Sequence, residues 1–233
     1  MLYTGPGGSA DAHAHHAIQL IRSLDSEFTL HFEDRELTAA AALVPSGLRH
    51  RLECESERLV VAFVEPTGPR GAELDRVANE RLGRDVGGML PEPSVDSAGG
   101  GMEPAREMLD ALLPSRPAAR TFSPHVAKTL AHLETTVGDR PSLADTAAAV
   151  NVSPSRLTHL FTEEVGIPFR NYVLWMRFRR VVDEVARGSN LTEVAIAAGF
   201  SDSSHLSRSF REHFGLSPSA LLGMTVADGD WPD

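Results

Sequence analysis

LTEVAIAAGFSDSSHLSRSFREHFGLSPSAL, residues 191–221, decides how the rest of the chain is read. Leu191, Val194, Ala195 and Ala198 recur at helical spacing, so one apolar stripe faces inward. Gly199 interrupts the pattern where a tight turn between two helices needs a residue that tolerates positive φ. Ser201 follows and is placed to cap the next helix by accepting a hydrogen bond from its first turn. Leu206 and Phe210, four residues apart, bury one face of that helix, and Ser203, Ser204, Ser207, Arg208 and Arg211 are read onto the opposite one. Short hydroxyls and arginines on an exposed helix suit base edges and phosphates in a major groove. The stretch reads as a helix-turn-helix.

The same pattern stands once before it. Leu143, Ala147, Asn151, Ser153, Leu157, Phe161, Gly166 and Pro168 answer to Leu191, Ala195, Gly199, Ser201, Leu206, Phe210, Gly215 and Pro218. The offset is 48 residues at the start, 49 from Leu157 and Leu206 on, and 50 at the two prolines, so the second turn holds one extra residue and the stretch before Pro218 another. Asn151 replaces Gly199, and asparagine is the next most tolerant residue for a left-handed backbone. Ser153-Pro154 is a cap followed by proline at the first helical position, where a missing N–H costs nothing. Two copies in register, joined by one helix over Phe169–Arg187, are a far more specific signal than one.

The chain of 233 residues is long enough for two cores. Its single cysteine, Cys54, excludes an intrachain disulfide and fits a reducing compartment. No run has the length of a membrane span and the start lacks an export signal, so a cytoplasmic protein with no membrane partner is expected. The net charge of −10 is unevenly spread. Residues 121–223 carry ten basic and ten acidic side chains and are neutral; the acidity belongs to residues 1–120 and to Asp228, Asp230 and Asp233. A neutral domain attracts phosphate less than a basic one does, which predicts specific DNA binding that weakens with salt.

N-terminal to the repeats, Ala17–Leu24, Phe28–Phe32, Leu37–Val44, Leu48–Leu52 and Leu59–Val64 read as short strands between turn signals, which predicts a small antiparallel barrel or sandwich. Helices are expected over Gly71–Leu82 and Glu103–Leu113, with flexible connections at Pro91–Gly101 and Pro114–Ser123. Ser123-Pro124 starts a further helix that Gly138 is expected to end, and Ser142 with Asp145 resembles a capping box. The expected class is α+β: a β domain over residues 1–66, accessory helices and linker over 67–120, an all-α domain over 121–223 and an acidic tail over 224–233.

On these motifs, Phe122 to Leu222 resembles the DNA-binding domain of AraC-type transcription regulators. The resemblance implies seven helices in two subdomains, with two recognition helices entering successive major grooves of promoter DNA. It puts groove-facing positions at Ser155, Thr158 and His159 and at Ser203, Ser204, Ser207 and Arg208. Arg208 is the best base-reading candidate, since its fork matches guanine O6 and N7. Arg170, Arg180 and Arg211 are read as phosphate contacts, and Arg177 as a brace held by a buried hydrogen bond. RNA polymerase is the implied partner if the protein activates.

The N-terminal part resembles the small cupin barrel that precedes such domains. Gly7-x5-His13-x-His15-x3-Gln19 follows the first cupin motif, with Gln19 where glutamate is usual, and Pro45-x-Gly47-x2-His50 follows the second. Ser26 and Ala39 stand where that pattern has glycines. The resemblance implies a small-molecule-sensing or homodimerising barrel, with His13, His15, His50 and Gln19 as the ligand set of a divalent metal ion. A regulator rather than an enzyme is expected, because no nucleophile elbow, phosphate loop or acid–base pair accompanies the histidines. A metal-dependent cupin enzyme or a metal sensor fused to a DNA-binding domain is the competing reading.

Overall fold

The computed structural model describes residues 1–68, 70–91, 102–113, 121–223 and 225–227. Most of the expected linkers, Pro91–Gly101 and Pro114–Ser123, and most of the expected tail lie outside them. Eight N-terminal strands are present: β1 (Leu2–Gly5), β2 (Ala10–His13), β3 (Ile18–Ser23), β4 (Phe28–His31), β5 (Glu36–Ala39), β6 (Ala41–Val44), β7 (His50–Glu53) and β8 (Leu59–Val64). A ninth, β9 (Thr225–Ala227), comes from the far end of the chain. They form two antiparallel sheets, ordered β6-β3-β8-β1-β9 and β2-β7-β4-β5. The expected barrel is therefore an open pair of sheets, and residues counted with the acidic tail extend one of them beside β1.

The β3 and β8 strands are almost wholly buried, because both of their faces are covered. Ile18, Leu20, Val60, Ala62 and Val64 pack beneath α1 (Gly71–Glu80) and α2 (Glu103–Leu112), against Leu74, Ala78, Met108 and Leu109. The alternate residues Ile21, Leu59 and Val61 face Phe28, Leu30 and Leu52 of the second sheet. The predicted strand Leu37–Val44 is two strands, β5 and β6, one in each sheet. Ala39, Ala41 and Ala42 are all buried, so the run crosses between sheets without losing its apolar character.

The C-terminal half contains α3 (Pro124–Thr136), α4 (Leu143–Ala149), α5 (Pro154–Val165), α6 (Phe169–Ala186), α7 (Leu191–Ala197) and α8 (Ser203–Phe214). The seventh expected helix is a 3₁₀ segment, Pro218–Gly223. Gly138 does not end α3 in a left-handed turn: it lies in a 3₁₀ turn, Val137–Asp139, and the left-handed residue is Arg140 at φ 57°. The α6 helix serves two cores with two faces. Tyr172, Val173 and Met176 join Val126, Leu133 and Phe161 of the first subdomain. Trp175, Phe178, Val181 and Val182 join Val194, Leu206 and Phe210 of the second.

The halves are not separately closed. Met1 and Ala17 belong to the second subdomain's core, with Phe63 against them. The Asp11 N–H donates to the Gly215 carbonyl at 2.9 Å, and α6 packs on β9.

Candidate DNA-binding face and a three-histidine cluster

The second helix of each repeat is built by the local chemistry of its turn. Asn151 (φ 59°) and Gly199 (φ 79°) both take the left-handed conformation that reverses the chain. A Cβ at Gly199 would lie 3.2 Å from the Val137 carbonyl oxygen and 3.3 Å from Arg177 Nε. Ser153 caps α5 by accepting from Arg156 N–H at 3.2 Å. The cap of α8 is Asp202 rather than the expected Ser201: its carboxylate accepts from His205 N–H at 2.7 Å. Ser201 instead donates to Asp202 at 2.9 Å, so the hydroxyl braces the residue that caps. Asn190 and Glu193 form a reciprocal capping box on α7 that the pattern reading missed. The signal was present, as a cap residue with glutamate three positions on.

On α8, Ser204, Arg208 and Arg211 are exposed, whereas Ser203 and Ser207 are half-buried. The division follows from helical phase. At about 100° per residue, Ser204, Arg208 and Arg211 fall opposite Leu206 and Phe210, while Ser203 and Ser207 stand one turn before those two and flank them. The Ser207 hydroxyl donates to the Ser203 carbonyl at 2.8 Å. On α5, Ser155, Thr158 and His159 are all exposed, His159 with 84% of its side chain in solvent. Thr158 donates back to the Pro154 carbonyl at 3.0 Å. The 49-residue offset equates Ser155 with Ser204, His159 with Arg208, and exposed Thr162 with Arg211. Thr162 is the one position of this face that the sequence reading left out. Arg170 and Arg180 are exposed. Arg177 is half-buried against the Gly199 turn, and its Nε makes no hydrogen bond, contrary to the expected brace.

The N-terminal histidines converge. His13 on β2 pairs directly with His50 on β7, and His15 follows β2. One ring nitrogen from each lies within 4.8 Å of the other two, and all three residues are buried. Each Nδ1 faces a backbone carbonyl: His13 that of Asp11 (2.7 Å), His15 that of Ala17 (2.8 Å) and His50 that of Leu48 (2.9 Å). A carbonyl only accepts, so each Nδ1 carries the proton and each Nε2 keeps a lone pair. Burial, with the neighbouring His50 and His13, holds His15 well below the usual range. Burial and His13 bring His50 to about 4, and burial lowers His13. Neutral imidazoles therefore face one another.

Gln19 on β3 brings Oε1 to 2.8 Å from His50 Nε2 and 3.2 Å from His15 Nε2. In that orientation acceptors meet acceptors, which a cation satisfies; turned about, the amide NH2 donates to both rings. His13 and Gln19 also line a cavity of about 250 Å³ between the halves, walled by Tyr3, Phe63, Val182, Phe210 and Phe214.

A family described as "Helix-turn-helix domain" matches residues 146–224. The uncharacterized HTH-type transcriptional regulator YidL of Escherichia coli is 34% identical over 101 residues, 43% of this chain and 34% of its own. Transcriptional activator RhrA of Rhizobium meliloti is 29% identical over 89 residues, 37% of this chain and 28% of its own. The chain thus spans about a third of the length of these curated relatives. Unsaturated fatty acid bound ToxT of Vibrio cholerae aligns over 96% of this chain and 94% of its own, with a TM-score of 0.54 and 13% identity, so the likeness is one of fold. Behind its N-terminal β domain, the chain carries two helix-turn-helix units, and the match to the helix-turn-helix family spans most of them.

Proposed function

We propose that the protein is a sequence-specific, double-stranded-DNA-binding transcription regulator whose N-terminal domain reports a small effector to the paired helices. The carrying observation is the pair of capped helices, α5 and α8, presenting equivalent exposed positions: Ser155, His159 and Thr162 on one, Ser204, Arg208 and Arg211 on the other. Arg208 reads a guanine and His159 takes the matching place in the second groove, with Arg211 on phosphate.

The cavity supports an apolar effector, because its walls are aromatic and aliphatic and come from both halves. A molecule seated there touches Phe210 and Phe214 of α8 directly. The fold shared with fatty-acid-bound ToxT agrees with an apolar molecule at this level of description.

The histidine cluster favours a metal-responsive form of the same reading. His13, His15 and His50 offer three neutral Nε2 donors, each oriented by a carbonyl on its Nδ1, and Gln19 offers an amide oxygen. That donor set suits a divalent first-row ion.

The regulator reading is tested by selecting duplexes from a randomised pool with the full chain and repeating the selection with Arg208→Ala and His159→Ala. A defined site is expected, with each variant relaxing a different position. Enrichment of no sequence, or both variants relaxing the same base pair, counts against it.

A further inference from the structure

We propose that a divalent metal held by His13, His15 and His50 sets the position of the second recognition helix, α8, and so makes DNA affinity depend on the metal. This rests on the metal reading of the cluster and adds what the metal would regulate.

The three candidate ligand nitrogens lie within 4.8 Å of one another. A tetrahedral ion with bonds of about 2.0–2.1 Å holds its nitrogens about 3.3–3.4 Å apart. Binding therefore fixes the rings at close, defined separations. Packing makes such small shifts consequential, because packed interfaces change between discrete arrangements rather than deforming smoothly.

Phe214 is the last residue of α8 and Gly215 its C-cap. The His15 ring stacks on Phe214 at 5.9 Å, and Phe63 packs edge-on against both, at 5.1 Å and 5.5 Å. Asp11 joins His13 to the helix end: its carbonyl accepts from His13 Nδ1–H at 2.7 Å, and its own N–H donates to the Gly215 carbonyl at 2.9 Å. There is no slack at this joint. A Cβ on Gly215 would lie 2.7 Å from His13 Nδ1 and would collide with the Asp11 backbone. The cluster cannot rearrange without the end of α8 following.

The β domain meets the first subdomain through His16, 6.0 Å from Tyr172, and adds no residue to the cores packed around α5 among those described; the core around α8 contains Met1 and Ala17, and the last turn of α8 meets the cluster itself through His15 and Phe214. A change at the histidines thus moves α8 relative to α5. Two recognition helices bind one duplex only when their spacing matches about one helical turn, roughly 34 Å. The metal acts on that spacing.

The test uses the full chain stripped by chelator, then loaded with Co²⁺ or Zn²⁺ alone. Metal stoichiometry is read from the cobalt spectrum and metal analysis, and affinity is read on duplexes selected with each form. One ion per chain is expected, with an affinity shift of fivefold or more, as for ordinary allosteric coupling. Both should vanish in His50→Ala. Because that variant removes a buried side chain, Gln19→Glu is measured beside it and should reach the same shift at lower metal concentration. Phe214→Leu should keep the ion and lose most of the shift. An ion bound with no change in affinity overturns the coupling and leaves the metal site standing. No ion on the folded chain overturns both, while a full shift in Phe214→Leu overturns the route through α8.

Discussion

Arg208 and Asp202 show how much rests on single side chains of one twelve-residue helix and its N-cap. Arg208 stands exposed opposite the Leu206–Phe210 face. Its replacement by alanine should cost about 1–3 kcal/mol of binding and relax one base position, read by competition against single-base variants of the selected site. Arg208→Lys should not restore that preference, since an ammonium lacks the planar fork. Asp202→Ala should cost about 1 kcal/mol of stability in thermal unfolding, and Ser201→Ala clearly less, because the cap is the carboxylate. Equal losses would return the cap to Ser201. The turn residues were legible at this scale because positive φ has a compositional signature, and Gly199 and Asn151 carry it. The cap was not. Ser201 and Asp202 are adjacent and equally competent as caps, and nothing in their spacing separates them.

Among elements, α6 explains how one helix can bury nine side chains on two faces yet carry Arg177, Arg179 and Arg180. Two cores take opposite faces, and the arginines emerge between them, Arg179 toward Glu134 at 3.5 Å. The first subdomain depends on small residues where α4 meets α5. Ala147 is fully buried with Leu157 and Val150. Ala147→Asp places an unpaired charge there and should cost about 3 kcal/mol or more, abolishing site-specific binding while near-ultraviolet circular dichroism shows loss of packing. Normal unfolding and binding would mean that the first repeat is misplaced. Both repeats, α3 and both accessory helices were legible, since 3.6-residue periodicity and cap-plus-proline starts survive in sequence. The strands were harder. β1 and β2 flank the Gly-Pro-Gly-Gly run at residues 5–8, which reads as loop, β9 reads as tail, and the β5–β6 break is hidden because alanines on both sides are buried.

At the scale of the molecule, the N-terminal sheets and the second helix-turn-helix share a core, a cavity and the Asp11–Gly215 joint. None of this was legible in the sequence, where the two halves are separated by what reads as linker. The three histidines were legible as a motif, but their opposition to α8 needs the tertiary fold. The paired repeats are electrically neutral, so salt dependence should come from a few placed arginines rather than a diffuse basic field. Arg211→Ala should lower affinity for all sequences alike and reduce the slope of log affinity against log salt by about one. An unchanged slope would take Arg211 off the phosphate backbone.

The claim that the two repeats act as one reader is tested most directly by hydroxyl-radical footprinting of the full chain on a selected duplex. Protection should fall in two patches on one face of the DNA, about 10–10.5 base pairs apart, with Arg208→Ala weakening one patch and His159→Ala the other. A single patch, or protection that weakens equally in both variants, would contradict it.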